Sequence, residues 1–164
     1  MVDARKDIKE WVISLAFTSG EQLKRGTSSA GVFAFLPTAM VTNFPFIIQA
    51  DFVLSSSRET ILLDNKWNSG ILDHVPHSFS SAFTTFMKST LTEKYFSAAQ
   101  VLNFLPCLEC HYKELNTVRQ FIMTLLQEEI IVPYETFVGE SITFCRPTNM
   151  IRVLPEFKKI LLSH

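Results

Sequence analysis

A chain of 164 residues with 47% hydrophobic and 19% charged side chains holds enough apolar material for one domain with a buried core, and fifteen phenylalanines exclude a disordered tract. Its net charge of −1 gives no overall field for nucleic acid or an acidic membrane surface, so neither is expected as a partner. With no apolar run of membrane-spanning length and no signal peptide in VDARKDIKE, the three cysteines point to a reducing intracellular setting, nucleus or cytoplasm.

Residues 8–17 (IKEWVISLAF) alternate Trp11, Ile13, Leu15 and Phe17 against Val12, Ser14 and Ala16, the period of a strand. Both sets are largely apolar, which predicts a position in the middle of a sheet. The stretch 18–30 is polar, contains Gly20 and Gly26, and reads as a loop. A second strand spans 31–36 and stops at Pro37. After a connector around Asn43 comes a third, 45–54, in which Phe46, Ile48, Ala50, Phe52 and Leu54 share a face. Three strands with no helical pattern between them predict adjacent antiparallel pairing.

The third strand runs into Ser55, Ser56, Ser57, Arg58 and Glu59, and the period then becomes helical. An arginine between a strand and a helix is well placed to meet an oxyanion, because the flanking elements fix the loop and the guanidinium offers a fork of donors. On spacing alone a solvated arginine paired with Glu59 or Asp64 explains the residues as well. From Asp64 onward, Trp67, Ile71, Val75, Phe79, Phe83 and Phe86 form a helical stripe suited to covering the sheet. Gly70 weakens that helix, and Pro76 is expected to kink or split it.

The second half continues with a short helix within 91–105, ended by Pro106. A further helix follows, capped by Asn116, with Val118, Phe121, Ile122, Leu125 and Leu126 on its apolar side. Strands are expected at 130–134 and 141–145, and a closing helix at 155–162. The fold class is therefore α+β: a small, largely antiparallel sheet covered by helices. A division near 88–92 would separate a sheet-and-helix unit, 1–90, from a smaller α+β lobe, 91–164.

Motifs for chemistry on this chain alone are few. Cys107, Cys110 and His111 spell the haem-attachment pattern C-x-x-C-H, and Cys145 would be needed to complete a zinc set. The setting is wrong for haem and the second half of a zinc knuckle is missing, so no metal is expected. His74 and His77 lack a third ligand. The five glycines include no G-x-G, which leaves no phosphate cradle.

Residues 50–68, ADFVLSSSRETILLDNKWN, resemble the catalytic loop in the middle segment of the ninety-kilodalton heat-shock chaperone, matching at Leu54, Ser57, Arg58 and Glu59. Gly31 to Pro37 (GVFAFLP) resembles that chaperone's upstream strand. Residues 31–87 look closer still to the sacsin and plant No Vein-like proteins, whose ATPase belongs to the gyrase B, chaperone and histidine-kinase superfamily. The FLP at 104–106, the ELN-VR run at 114–119 and the IVP at 131–133 extend that resemblance.

The resemblance implies a middle, or transducer, segment of a chaperone-like ATPase. Arg58 would approach the γ-phosphate of ATP held with magnesium by the protein's own N-terminal ATPase domain. Ser55, Ser56 and Ser57 would shape the loop, and Glu59 would orient it or pair with Arg58. Leu62 stands where the chaperone has a glutamine, which removes one polar contact to phosphate. This chain carries none of the superfamily's ATP motifs, so it is expected to bind no cofactor and to be no enzyme on its own. The alternative is a non-catalytic module that recruits a protein partner.

Overall fold

The computed structural model describes residues 10–17, 24–25, 28–29, 31–90, 98–135 and 142–150. Strands β1 (Ser14–Phe17), β4 (Val32–Ala34), β5 (Leu36–Pro37) and β6 (Phe46–Gln49) form a four-stranded sheet in the order β1-β6-β4-β5. Two-residue strands β2 (Lys24–Arg25) and β3 (Ser28–Ser29) pair antiparallel, so the stretch expected to be loop carries a small hairpin. Helices α1 (Lys66–Thr90), α2 (Ala98–Leu102) and α3 (Lys113–Glu128) follow. A second sheet, of β7 (Val132–Glu135) and β8 (Ile142–Cys145), precedes a single 3-10 turn at Pro147–Asn149. The α+β class is as the sequence implies.

The strand arrangement departs from expectation in two ways. β1 lies at the edge of the sheet, not in its middle, and pairs antiparallel with β6 from Ser14↔Gln49 to Phe17↔Phe46. Ile13, Leu15 and Phe17 face the core while Val12, Ser14 and Ala16 are exposed, so only one of its apolar faces is covered. β4 and β6 are parallel, with Val32↔Ile48 and Phe33↔Gln49 in register. The connection 38–45 makes this possible. It buries Thr38, Met40, Thr42 and Phe44 as it returns the chain to the starting end, and turns at Asn43, whose φ of 57° suits asparagine.

The core joins this sheet to the helices. Phe46 and Ile48 on β6 are fully buried, and the Phe46 ring lies 4.7 Å from that of Phe79 on α1. Phe44 stacks on Phe46, and Phe17 reaches Phe104 at 5.3 Å. Such aromatic pairs add to the burial term through their offset and edge-on contacts. The expected stripe is real: Ile71, Val75, Phe79 and Phe83 are buried, with Trp67 and Phe86 partly so. Burial along the third strand also alternates as read, through Phe46, Ile48, Ala50 and Phe52, beyond the end of hydrogen-bonded β6.

Helix α1 runs unbroken through Pro76, contrary to the expected split. Proline cannot donate to the Leu72 carbonyl, but its ring is buried and lines the groove between α1 and α3 with Leu72, Val118 and Phe121. Tertiary packing thus outweighs the missing hydrogen bond. Helix α3 presents Leu115, Val118, Ile122 and Leu126 to α1, and these join the same apolar cluster as the sheet. That cluster draws on residues to either side of 88–92. The strand pair expected near 130–134 and 141–145 is present, aligned from Val132↔Cys145 to Glu135↔Ile142. Residues 155–162, read as a closing helix, lie outside the described residues.

Candidate functional site

The stretch around Arg58 is a hairpin stitched at several levels. Leu54 and Ile61 bridge antiparallel, Leu62 N–H donates to the Val53 carbonyl at 3.0 Å, and Ser55 N–H to the Thr60 carbonyl at 2.8 Å. At the tip, Arg58 N–H donates to the Ser55 carbonyl at 2.9 Å, and Arg58 takes the left-handed conformation with φ 60°. That conformation is uncommon for a residue with a Cβ and persists only where its surroundings hold it.

The serines supply that hold. Ser55 Oγ lies 3.1 Å from Ser57 Oγ and accepts from Thr60 Oγ1 at 3.2 Å, while Ser57 Oγ accepts from Glu59 N–H at 3.4 Å. Ser56 is exposed at the turn. From outside, the Glu59 carbonyl accepts Ala39 N–H at 2.8 Å, which ties the loop to the chain just after β5.

The base of the hairpin is held by a residue that the sequence reading passed over. Asn68 is fully buried at the start of α1. Its Oδ1 accepts Val53 N–H at 2.8 Å, and its Nδ2 donates to the Val53 carbonyl at 2.7 Å and the Leu62 carbonyl at 2.9 Å. One amide thus clamps both strands below Arg58. Asn65 caps the same helix, with Oδ1 accepting from Trp67 N–H at 2.9 Å and Asn68 N–H at 3.4 Å. Trp67 Nε1 donates to the Asp51 carbonyl at 2.8 Å. The only signal in the sequence is the density of asparagine in DNKWN, which reads as capping and conceals the clamp.

Arg58 and Glu59 are both exposed, and among the described residues no ion pair joins them or links Arg58 to Asp64. The expected pairing with Glu59 is therefore not made in this structure. Chemically, the loop presents a cation at a fixed, solvent-facing tip with a ready fork of donors. Leu62, partly buried at the hairpin's base, offers no polar group.

The other candidates have local partners. Cys107 is exposed, and Cys110 and Cys145 are half-buried free thiols. Cys110 Sγ donates to the Tyr112 carbonyl at 3.4 Å and Cys145 Sγ to the Val132 carbonyl at 3.7 Å. Among the described residues no three His, Cys, Asp or Glu side chains converge as a metal site would require. Asn116 does not cap α3, which begins three residues earlier with Tyr112 at the cap position. Instead it reaches back, accepting Cys110 N–H at 2.9 Å and donating to the Cys110 carbonyl at 2.8 Å. Arg119 pairs with Glu109 at 2.9 Å, and Asn43 Nδ2 donates to the Glu109 carbonyl at 2.6 Å. The Cys-x-x-Cys-His segment is accordingly a loop tied into the fold. His74 Nδ1 sits 2.8 Å from the Gly70 carbonyl, and His77 meets Phe121 edge-on.

Half of the chain is similar to Protein NO VEIN of Arabidopsis thaliana. The two are 39% identical over 87 residues, 50% of this chain and 3% of that protein. The match supports a No Vein-like relationship, and the chain spans only that small share of its relative's length. No family model and no solved structure matches the chain. Among the described residues no helix is long and apolar enough to cross a membrane.

Proposed function

We propose that this chain is the transducer segment of a larger ATPase and directs Arg58 at the γ-phosphate of ATP held by a separate N-terminal domain. The observation that carries the reading is the exposed Arg58 at φ 60°, on a hairpin clamped from below by the buried Asn68 amide. A guanidinium carried on a held backbone can stabilise the charge that develops in phosphoryl transfer with little rearrangement of the loop. The similarity of half the chain to a much longer protein supports a segment that works alongside other domains. Leu62 adds no second polar contact, so Arg58 carries the interaction by itself.

The test is ATP turnover by the full-length protein that carries this segment. Arg58→Ala is expected to lower turnover by roughly ten- to a thousandfold, the scale for removing one aimed cationic donor. Arg58→Lys recovers part of the loss, because an ammonium cannot reproduce the planar fork. Turnover by Arg58→Ala at the wild-type rate, with folding intact by circular dichroism, refutes the reading. A second reading, a non-catalytic module for a protein partner, is favoured by the exposed apolar tip at Phe35 and Leu36, which are 84% and 73% exposed.

A further inference from the structure

Helices α1 and α3 leave a groove of about 220 Å³ between them, to which the loop 55–60 contributes no wall. The walls follow the helix period. On α1, Pro76 comes four positions after Leu72 and three after Asp73; on α3, Phe121 comes three after Val118 and seven after Glu114. Each set therefore lies on one helical face. Leu72, Pro76 and Val118 are buried, whereas Phe121 is 43% exposed and leaves part of an apolar ring in solvent.

Two carboxylates line the same groove, Asp73 from α1 and Glu114 from α3. Both residues are exposed, and among the described residues neither carboxylate has an ion pair or a hydrogen bond. Their helix neighbours supply none. Three and four positions from Asp73 stand Ser69, Gly70, Pro76 and His77, and along α3 from Glu114 stand Thr117 and Val118. The His77 ring turns edge-on to Phe121 at 5.4 Å, and Thr117 returns its hydroxyl to the Lys113 carbonyl at 3.2 Å. Lys66 and Lys113, the nearest lysines in sequence, do not line the groove. A carboxylate in the first turn, such as Glu114, also suits the helix dipole, but Asp73 lies inside α1 and gains nothing from it.

We propose that this groove receives a basic amphipathic segment of a protein partner. One apolar side chain seats against Pro76 and Phe121, and an arginine or lysine on each flank meets Asp73 or Glu114. The charge pattern selects that occupant: an acidic segment is repelled by both carboxylates, and a neutral apolar one leaves them unmet. Glu114 to Phe121 covers two helical turns, about 10 Å at 1.5 Å per residue, which matches two turns of an incoming helix with anchors three or four apart. The inference goes beyond both functional readings, since it uses neither Arg58 nor the tip at Phe35 and Leu36.

The probe is a fluorescein-labelled helical peptide with leucine at every third or fourth position and arginine beside each. It is titrated into the 164-residue chain and followed by anisotropy, next to peptides with citrulline for arginine or alanine for leucine. A saturable rise with a Kd below about 1 mM is expected. Citrulline, added salt, and Asp73→Asn combined with Glu114→Gln are each expected to weaken it about three- to tenfold. Both substitutions are at exposed positions, and circular dichroism checks that the fold is kept. Phe121→Ala is expected to weaken binding as well. No saturable rise overturns the proposal, and so does equal binding by either control peptide or by the doubly substituted chain. A concentration-dependent dimer in sedimentation, lost in the same double variant, would assign the groove to a second copy and overturn it too.

Discussion

Replacing Asn68 by alanine tests whether one buried amide holds the Arg58 hairpin. Three hydrogen bonds vanish, but their consequences differ. The Val53 carbonyl keeps Leu62 N–H, and the Leu62 carbonyl keeps Asn65 N–H at 3.2 Å. Among the described residues Val53 N–H has no other partner, and it is left orphaned. One stranded donor costs about 1–3 kcal/mol, and each of the two other lost bonds about 0.5–1.5 kcal/mol, so a destabilisation of about 2–6 kcal/mol is expected. Urea unfolding followed by tryptophan fluorescence measures it. Trypsin supplies a local readout: Arg58 is exposed, cleavage there is expected to be slow while the hairpin stays closed, and nicking is expected to accelerate in the variant. A loss below about 1 kcal/mol with unchanged nicking refutes the clamp. Asn68→Asp sharpens the test, because it keeps the acceptor for Val53 but turns an oxygen toward two carbonyls. Burial there raises the carboxyl's folded pKa above its unfolded value, about 3.9. The penalty relative to wild type is then smallest below that value and grows as the pH rises toward the folded pKa.

Gly31→Ala places a methyl against the fully buried Thr42, whose hydroxyl accepts Phe44 N–H, and is expected to cost about 1–3 kcal/mol in urea unfolding. An unchanged midpoint would mean that the 38–45 connection yields more readily than its burial suggests. Asn65→Ala removes the cap of α1 and is expected to cost about 1 kcal/mol, whereas Asn65→Ser retains most of it. Equal losses for the two variants would show that the side chain does not cap.

What was legible in the sequence followed from periodicity. The stripe from Trp67 to Phe86 gave α1 because burial on one helical face leaves a spacing that neighbours cannot disguise. The β7–β8 pair was readable for a similar reason, two short apolar runs separated by a stretch that contains Gly139. The position of β1 was not, because apolar residues on both faces suit a central strand, and an edge strand with one bare face has the same letters. Parallel pairing of β4 and β6 was hidden in the 38–45 connection, because a short connector with no helical pattern reads as the link of an antiparallel pair rather than as a crossover.

The candidate site divides along the same line. Arg58 and its serines could be found because they form one contiguous run, and a loop between a strand and a helix is visible as a change of period. What makes the loop rigid could not, since Asn68 acts on backbone groups fifteen and six positions away, and hydrogen bonds to backbone carry no letter code. The contact of Trp11 with Trp67, edge-on at 5.6 Å, was beyond reach for the same reason: the rings meet only because β1 pairs with β6 and Gly70 clears the space. Both features lie on one structural path. Trp67 and Asn68 are adjacent at the first turn of α1, with Trp67 bonded to Asp51 and Asn68 to Val53. The first turn of α1 thus fixes positions 51 and 53 of the stretch that leads into the Arg58 hairpin.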